Sequence, residues 1–337
     1  MERQAYELKA GSIKNLRLTE GEILPPAPGE VTVSVKAIGL NFADIFAIQG
    51  LYSATPKGKF IPGLEYSGVI ENIGDDVEGL NRGDKIMGVT RFGAYSTQLN
   101  IDHRNLIPLP EQWDFEAGAS YLVQALTAYY ALVNLGNLKS GNTVLIHSAA
   151  GGVGIWANRI AKKLGAYTIG SVGSKSKFHL LEKEGYDQYL LRGSDFRQQL
   201  DHCLNGKELN LVLECIGGMI FKESYRKLAP RGRMVVYGSA SYSSQSDRPN
   251  YLKLLAKYLS RPKIDPQKMI EENKSILGFN LIWLFNEVEM MNDILRVLKE
   301  LDLGNPVIGY TFPFKDLPQA IRLFQSGKTT GKVVVVV

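Results

Sequence analysis

The stretch HSAAGGVGIWANRIAKKLG, from His147 to Gly165, decides the fold. An apolar run, TVLIHSA, leads into Ala149-x-Gly151-x-x-Gly154, and apolar residues then recur at helical spacing. A strand, a glycine-rich turn and a helix in this order are the context that a dinucleotide-binding fingerprint requires. Ala149 replaces the usual first glycine, which is tolerable because that position needs only a small residue with ordinary backbone angles.

The residues of this turn are candidate ligands of a pyrophosphate group. Glycine lets backbone N–H groups approach the phosphates, and the helix N-terminus stabilises their negative charge. A glycine-rich turn that binds nothing is the alternative, and the surrounding sequence favours binding. The candidate contacts are Ala150, Gly151, Gly152, Val153 and Gly154.

The turn lies within a series of short apolar runs that alternate with helical stretches. Runs rich in Val, Ile and Leu are typical of strands covered on both faces of a parallel sheet. Their regular repetition is typical of a doubly wound α/β fold. The sequence therefore predicts a Rossmann sheet with strands at 143–149, 166–172, 188–192, 209–217, 233–239 and 275–281.

The first third of the chain has a different pattern. Residues 30–110 contain short alternating strands and dense turn signals, which predict a β-rich domain. The terminal KVVVVV lies well beyond the sixth predicted Rossmann strand, and we predict that it returns to this first domain. The predicted division is a catalytic domain of residues 1–123, to which residues 284–337 return, and a nucleotide-binding domain of residues 124–283.

The end of the second predicted Rossmann strand selects the nucleotide. NAD sites carry Asp or Glu there to bind the ribose hydroxyls, but GSVGSKSK at 170–177 has no acidic residue. Hydroxyl and cationic groups suit a 2′-phosphate instead, so the sequence predicts NADP(H) as the cofactor. A solvated lysine-rich loop is the alternative. The candidate contacts are Ser171, Ser174, Lys177 and, after the third strand, Arg192.

Composition limits the other classes of function. The chain of 337 residues has a net charge of +5 and its basic residues are spread out, so we expect no nucleic-acid partner. No stretch is apolar enough for a membrane span, and the polar first residues lack the apolar core of a secretion signal. These features favour a cytoplasmic location.

Several motifs in order make the sequence recognisable: GLNFADIFAIQGLY, PGLEYSGVI, ALTAYYAL, AAGGVG and TTGKVVVV. Over essentially its whole length, the chain resembles the zinc-free quinone oxidoreductases of the medium-chain dehydrogenase/reductase superfamily. The later stretch PQKMIEENKSILGFNLIWL resembles the branch of the vesicle amine transport protein homologues. The resemblance implies a GroES-like catalytic domain, a Rossmann domain, a cofactor cleft between them and a homodimer.

The zinc alcohol dehydrogenases of the same superfamily allow a comparison of metal ligands. Asn41 stands where those enzymes carry a cysteine, and Leu64 stands where they carry a histidine. A third cysteine is expected shortly before Thr127, but no cysteine precedes Cys203. A zinc site needs three or four nitrogen, sulfur or oxygen ligands, so we predict that the protein holds no metal.

Hydride transfer to a quinone or an enone leaves negative charge on the acceptor oxygen, and without a metal this charge needs hydrogen-bond donors. The family's motif positions imply the Asn41 amide, the Tyr52 phenol and the Thr127 hydroxyl as catalytic candidates. Asp44 either binds ribose hydroxyls or caps the helix that begins beside it. A turn amide for Asn41 and a packing role for Tyr52 are the alternatives.

Further cofactor contacts are expected at the ends of the later strands, where backbone groups meet a bound dinucleotide. Two of them, Gly331 and Lys332, belong to the terminal motif and are expected near the cofactor phosphates. For the glycines, a simple turn of the chain is the alternative. The candidates are Ile216, Gly217, Gly238, Ser239, Phe279, Leu281, Gly331 and Lys332.

An insertion at 240–274 separates the fifth and sixth strands and contains a basic amphipathic segment, YLKLLAKYL. Such a helix suits a membrane surface, a cover over the substrate cleft or a contact within the protein. The first hypothesis is an NADPH-dependent, metal-free reductase of quinones or α,β-unsaturated carbonyls. The second is a nucleotide-binding, membrane-associated interaction protein with weak or no catalysis, and a zinc alcohol dehydrogenase is a distant third.

Overall fold

Two large β-sheets and a smaller one carry the fold of the computed structural model, which describes residues 2–244 and 246–337. The strands are β1 (Glu2–Lys9), β2 (Arg17–Glu22), β3 (Glu30–Gly39), β4 (Lys59–Phe60), β5 (Glu65–Ile73), β6 (Lys85–Val89), β7 (Gln98–Asp102), β8 (Leu106–Pro108), β9 (Thr143–His147), β10 (Tyr167–Val172), β11 (Gln188–Leu191), β12 (Leu209–Glu214), β13 (Leu228–Val236), β14 (Ser275–Gly278), β15 (Ile308–Pro313) and β16 (Lys332–Val336). The α-helices are α1 (Phe42–Gln49), α2 (Phe115–Gly118), α3 (Leu122–Tyr129), α4 (Gly152–Lys163), α5 (Phe178–Lys183), α6 (Phe196–Leu204), α7 (Gly218–Lys227), α8 (Tyr251–Leu259), α9 (Pro266–Glu272), α10 (Val288–Glu300) and α11 (Leu317–Gln325).

The sheet around the fingerprint is parallel and has the strand order β11-β10-β9-β12-β13-β14. This is the order of a Rossmann sheet, in which the winding reverses beside the first strand. β9 is buried along its whole length because apolar helix faces pack on both sides of the sheet. The doubly wound parallel fold predicted from the apolar runs is confirmed.

The first domain is the GroES-like, β-rich unit that the resemblance implies. Its main sheet has the order β15-β16-β3-β5-β6-β8, and β7 also pairs with β3. A separate sheet has the order β2-β1-β4. Val31, Val33 and Val35 of β3 are fully buried in the core between these sheets and α11. The expected combination of a GroES-like domain with a Rossmann domain is therefore confirmed.

The end of the sequence pairs with the first domain. β16 runs antiparallel to β3, with Val334 opposite Gly39. α10 lies elsewhere, because its buried residues Ile294 and Leu298 pack into the core that α3 and α4 share. The domain boundaries at 123/124 and 283/284 stay a prediction.

The insertion between β13 and β14 contains α8 and α9, and neither helix has a buried residue. α8 covers the amphipathic segment seen in the sequence. The chain before α8 is attached to the first domain, where Gln49 Nε2 donates to Ser244 O at 3.3 Å. Ile13 N donates to Asp247 O at 3.0 Å in the same region. The insertion thus crosses from one domain to the other before its helices begin.

Gly154 sets the distance between the fingerprint turn and α4. A Cβ at this position would lie 2.6 Å from the carbonyl oxygen of Ser148 and 2.7 Å from the Cα of Ala149. Both neighbours are backbone atoms, so neither can move aside as a flexible side chain would. The helix packs this closely on the end of the strand only because residue 154 has no side chain.

The Gly154→Ala substitution should therefore destabilise the protein even without nucleotide. Forcing extra atoms into a packed region costs about 1–3 kcal/mol, which urea unfolding of the nucleotide-free protein measures. Gly21→Ala is the matched control, because a Cβ at that position meets no atom within 4 Å. Equal unfolding midpoints for the two variants would show that the turn has room for a side chain.

Candidate functional site

A cavity of about 870 Å³ lies between the two domains. The fingerprint turn and the carboxyl ends of β10, β12, β13 and β14 form one wall. This is the edge at which ligands bind to doubly wound sheets. α1, α3, α10, the end of β6 and the segment before β16 contribute other parts of the lining. The predicted residues that line the cavity are Asn41, Tyr52, Thr127, Ala150, Gly151, Gly152, Val153, Gly154, Lys177, Arg192, Ile216, Gly238, Ser239, Phe279, Leu281, Gly331 and Lys332.

The predicted residues outside the cavity lining are Asp44, Ser171, Ser174 and Gly217. The Ser171 hydroxyl bonds with Nδ1 of the fully buried His147 at 2.6 Å. Ser174 Oγ accepts a hydrogen bond from Ser176 N at 3.3 Å, and Gly217 N donates to Glu214 Oε1 at 2.6 Å. The polar groups of Ser171, Ser174 and Gly217 are therefore bonded within the protein, Ser171 on β10 and the other two in loops beside the cavity.

The fingerprint turn presents a helix N-terminus to the cavity. α4 starts at Gly152 with Gly151 as its N-cap, so the first N–H groups of the helix have no partner within it. These groups and the helix dipole attract an anionic phosphate. A Cβ at Gly152 would lie 2.7 Å from Cγ of Gln124, so the turn fits against α3 only with glycine there.

Two cationic side chains line the cavity beyond the end of β10. Lys177 Nζ donates to the carbonyl oxygens of Gly327 at 2.8 Å and Thr329 at 2.7 Å. Arg192 Nη1 donates to Ser171 O at 2.9 Å. Burial and the positive charge of Arg192 lower the pKa of Lys177. A phosphate dianion beside these two groups would oppose this lowering, because its negative charge favours the protonated form of Lys177.

A buried polar cluster forms another part of the cavity wall. Lys332 Nζ lies 2.6 Å from Glu65 Oε2 and 3.0 Å from Asn41 Oδ1. Gln124 Nε2 donates to the same two oxygen atoms, at 3.0 Å and 2.8 Å respectively. The ammonium group of Lys332 is thus bound inside this cluster, although the sequence predicts it near the cofactor phosphates.

The amide of Asn41 is engaged at both ends. Its Oδ1 accepts the bonds from Lys332 and Gln124, and its Nδ2 donates to Gly39 O at 3.1 Å and Glu65 Oε2 at 3.3 Å. Both amide hydrogens of Asn41 therefore point to partners within the protein. The side chain lines the cavity as a fixed dipole.

Asp44 helps to cap α1, one of the two roles expected for it, because it is the third residue of the helix and completes a capping box with Asn41 at the N-cap. Its Oδ2 accepts hydrogen bonds from Asn41 N at 2.8 Å and from Tyr95 Oη at 2.9 Å. Burial raises the pKa of Asp44 to about 7, outweighing these hydrogen bonds, which favour the charged form. Part of the Asp44 population is therefore protonated at neutral pH.

The phenol of Tyr52 bonds across the cavity to the other domain. Tyr52 Oη donates to Oδ1 of Asn280, a residue that follows β14, at 2.7 Å. Burial raises the pKa of Tyr52 to about 12, so the phenol remains a hydrogen-bond donor at neutral pH. Thr127 lies on α3 in the same cavity and is buried.

Gln124 and Asn280 are not among the residues that the sequence predicts. Gln124 lies one helical turn before Thr127, and a polar residue on that buried helix face was an available signal. Asn280 lies between Phe279 and Leu281, which are both predicted, and is the polar residue of that stretch. Its importance depends on the distant Tyr52, which sequence spacing does not reveal.

No cluster of three or more His, Cys, Asp or Glu side chains able to hold a metal ion occurs in residues 2–244 and 246–337. The space beside Glu65 is filled by the ammonium group of Lys332. Independence from zinc stays a prediction.

Comparison with known proteins places the chain in a family. Residues 27–111 match the alcohol dehydrogenase GroES-like domain, and residues 152–296 match the family described as zinc-binding dehydrogenase. The synaptic vesicle membrane protein VAT-1 homolog of Rattus norvegicus is 31% identical over 332 residues, which are 97% of this chain and 82% of the relative. The quinone oxidoreductase of Escherichia coli, solved in complex with NADPH, superposes with a TM-score of 0.85 at 27% identity over 100% of both chains. The chain belongs to the quinone oxidoreductase family of the medium-chain dehydrogenase/reductase superfamily.

A solved enoyl reductase also resembles this chain. The CurK enoyl reductase superposes with a TM-score of 0.85 at 26% identity and covers 99% of each chain. The family resemblance deduced from the sequence motifs is confirmed.

The raised pKa of Asp44 makes a prediction about stability and pH. Between about pH 4 and about pH 7, folded Asp44 holds a proton that the unfolded chain has released, so its contribution to stability falls as pH rises through this window. The isosteric Asp44→Asn variant stays neutral throughout. Its stability relative to the wild type should therefore rise across the window and level off above about pH 7, as measured by urea unfolding.

Asp102 is the control, because its pKa is shifted in the opposite direction to that of Asp44. A hydrogen bond from Arg104 lowers the pKa of Asp102, so its contribution to stability is lost as pH falls below the ordinary carboxyl range. Asp102→Asn should therefore lose stability relative to the wild type as pH rises through that lower range. A flat difference between wild type and Asp44→Asn would contradict the prediction for Asp44.

Proposed function

We propose that this chain is an NADPH-dependent reductase that transfers a hydride to quinones or α,β-unsaturated carbonyls without a metal ion. The observation that carries the proposal is the single cavity shared by an anion-binding helix N-terminus, the cationic Lys177 and Arg192, and the phenol of Tyr52. The first two features suit a phosphorylated dinucleotide, and the third suits an acceptor oxygen.

The residues present fit NADP(H). The N-terminus of α4 would hold the pyrophosphate, and Lys177 and Arg192 would hold the 2′-phosphate. The NADPH complex of the Escherichia coli neighbour supports this choice of cofactor. Thr127, Phe279 and Leu281 line the same cavity and would contact the nicotinamide end. The reduced nicotinamide supplies the hydride when it is bound.

The protein's own task is to bind the acceptor and stabilise the charge that develops on its oxygen. When a hydride adds to an acceptor carbon, an electron pair moves to the carbonyl oxygen, which then needs hydrogen-bond donors. Tyr52 suits this role because its phenol is protonated at neutral pH and lines the cavity. The phenolic hydrogen of Tyr52 is donated to Asn280 Oδ1 and would have to turn to the acceptor oxygen. Asn41 suits the role less, because both of its amide hydrogens are held by Gly39 O and Glu65 Oε2 in the buried wall.

The walls of the cavity favour a flat apolar acceptor. Phe42, Leu126, Ile282 and Phe285 are among the side chains that line it. Apolar walls exclude water, which strengthens the hydrogen bond to the acceptor oxygen and protects the hydride from side reactions. The resemblance to an enoyl reductase and to a quinone oxidoreductase supports acceptors of these two classes.

The buried cluster supports reduction without a metal. Glu65 Oε2 bonds to Lys332 and Gln124, and Glu65 Oε1 accepts a hydrogen bond from Val123 N at 2.9 Å. Both oxygens of this carboxylate are therefore satisfied, and its charge is balanced by an ammonium group. A cation bound there would have to displace Lys332 from its buried position.

The proposed activity has a direct test. Purified protein should oxidise NADPH in the presence of ortho- or para-quinones or 2-alkenals, followed by loss of the absorbance of the reduced nicotinamide. Activity should survive dialysis against a chelator. Lack of turnover with every acceptor, despite measured binding of NADPH, would reject the enzyme hypothesis.

Lys177→Glu tests the choice of nucleotide. Replacing a cation beside the 2′-phosphate by an anion should weaken NADPH binding by about tenfold or more, since a hydrogen bond to a charged group contributes about 1.5–3 kcal/mol. NADH binding should change little. Lys175→Glu is the matched control, because Lys175 carries the same charge in the same loop but is exposed and does not line the cavity. Equal loss of NADPH affinity in both variants would assign the effect to general electrostatics.

A second candidate function is attachment to a membrane surface. Tyr251, Leu252, Leu255 and Leu259 of α8 are exposed, and Leu252 is 82% accessible. This exposed apolar face, with Lys253 and Lys257 on the same helix, suits an anionic bilayer surface. Among the described residues, no helix has the length and apolar character needed to cross a bilayer.

Sedimentation with vesicles of phosphatidylserine and phosphatidylcholine tests this candidate. The wild type should bind, and Leu252→Glu combined with Leu255→Glu should abolish binding because charges replace the apolar contact. Leu24→Glu is the control, since Leu24 is also exposed, at 79%, but lies in the first domain. Absence of wild-type binding would remove the membrane candidate.

The proposal includes a homodimer and a cytoplasmic location. β14 ends the Rossmann sheet, and among the described residues it pairs with β13 alone. An edge strand of this kind offers backbone hydrogen-bonding groups to a second copy of the chain.

A further inference from the structure

The hydrogen bond between Tyr52 and Asn280 joins the two domains across the cavity. Tyr52 packs against the core of the first domain, whereas Asn280 follows Phe279 just beyond the last strand of the Rossmann sheet. The two side chains meet at 2.7 Å from Oη to Oδ1. The position of the phenol at the acceptor end of the cavity therefore depends on a residue of the nucleotide-binding domain.

Asn280 is fixed by its backbone, while its side chain has a free donor. Phe279 N donates to Val236 O at 3.1 Å, and Trp283 N donates to Asn280 O at 3.0 Å. These bonds tie the residue to the end of β13 and to the helical turn at Leu281–Leu284. The Nδ2 atom of Asn280 has no hydrogen-bond partner within residues 2–244 and 246–337, and the residue lines the cavity.

The phenol has one hydrogen, and in this structure it is donated to Asn280. An acceptor oxygen can use that hydrogen only if the bond to Asn280 Oδ1 is given up. A half-turn of the amide about χ2 would then exchange Oδ1 for Nδ2 with almost no change in shape. Nδ2 would donate to Tyr52 Oη while Tyr52 donates to the acceptor, and two hydrogen bonds in series strengthen each other.

We propose that Asn280 is a positioning residue for Tyr52. Before the acceptor binds, Asn280 Oδ1 accepts the phenolic hydrogen. When Tyr52 donates to the acceptor, Asn280 Nδ2 donates to the phenol oxygen. The inference rests on the proposed reductase function and adds a residue from the second domain to it. Because Asn280 follows the last strand of the Rossmann sheet, the phenol is held by a residue of the second domain. Asn280 acts through Tyr52 and is required as a group with both an acceptor and a donor, which an amide offers at every pH.

Asn280→Asp is the deciding variant because it keeps the shape and removes the donor. An ionised carboxylate accepts the phenolic hydrogen but donates nothing, so kcat with a quinone should fall about tenfold or more at about pH 8. A protonated carboxyl group donates again. Partial burial should raise the pKa of the new carboxyl group above the ordinary aspartate value of about 3.9. The ratio of variant to wild-type kcat should therefore recover severalfold when the pH is lowered to about 5. Asn280→Ala should lose activity without this recovery.

A double-mutant cycle with Tyr52→Phe separates a positioning role from a structural one. Once the phenolic oxygen is gone, Asn280→Asp should have little further effect on kcat. Asn292→Asp is the matched control, because Asn292 lines the same cavity and would introduce the same charge without bonding to Tyr52. Its effect should be as large with Tyr52→Phe as with the wild type. Additive effects for Asn280→Asp, or a pH response shared with Asn292→Asp, would overturn the proposal.

An equilibrium measurement keeps the inference distinct from the proposed activity. 4-Nitrophenol, whose phenolate imitates the anionic reduced acceptor, is titrated into the complex of the protein with NADP⁺ and followed by its phenolate absorbance. The wild type should bind it, and both Tyr52→Phe and Asn280→Asp should weaken binding about tenfold at about pH 8. Lack of binding by the wild type, or equal binding by wild type and Asn280→Asp, would overturn the inference. Lack of turnover alone, with these affinities as expected, would reject only the proposed reductase function.

Discussion

The buried ion pair of Lys332 and Glu65 is the constraint on which the arrangement of the cleft depends. Each charge loses several kcal/mol of hydration on burial, and hydrogen bonds must replace that hydration. Here Asn41 and Gln124 complete the cluster. One residue before Lys332, Gly331 N donates to Ala150 O at 2.8 Å. The same short segment therefore holds the polar wall of the first domain and the fingerprint turn of the second.

Much of the architecture could be predicted because it follows from local patterns. Near-continuous apolar runs identified each strand of the Rossmann sheet, since burial on both faces favours apolar residues. Their observed ends lie within a few residues of those expected, as for β10 at Tyr167–Val172 against the predicted 166–172. β13 is the main exception and begins at Leu228 instead of residue 233, because the basic turn around Arg231 is included in the strand.

The directions of individual side chains could not be predicted in the same way. The sequence indicates that Lys332 lies at the cleft, but whether its ammonium group faces a phosphate or a carboxylate depends on Glu65, far away along the chain. Ser171 lies on the predicted strand, yet the pleat turns its hydroxyl toward His147. Asn280 and Tyr52 are brought together only by the packing of two domains. Such contacts are set by tertiary structure and leave no periodic signal.

The position of β16 has a consequence for the order in which the protein folds. This strand lies between β15 and β3, so the first domain cannot complete its main sheet until residues 332–336 have been synthesised. The Rossmann strands β9 to β14 lie entirely within residues 143–278 and can pair earlier. During synthesis, the nucleotide-binding domain should therefore form first, while residues 37–39 of β3 still lack the strand that pairs with them. The first domain is therefore synthesised first but completes its main sheet last. Its N-terminal strands are the part of the chain that we expect chaperones to bind for longest.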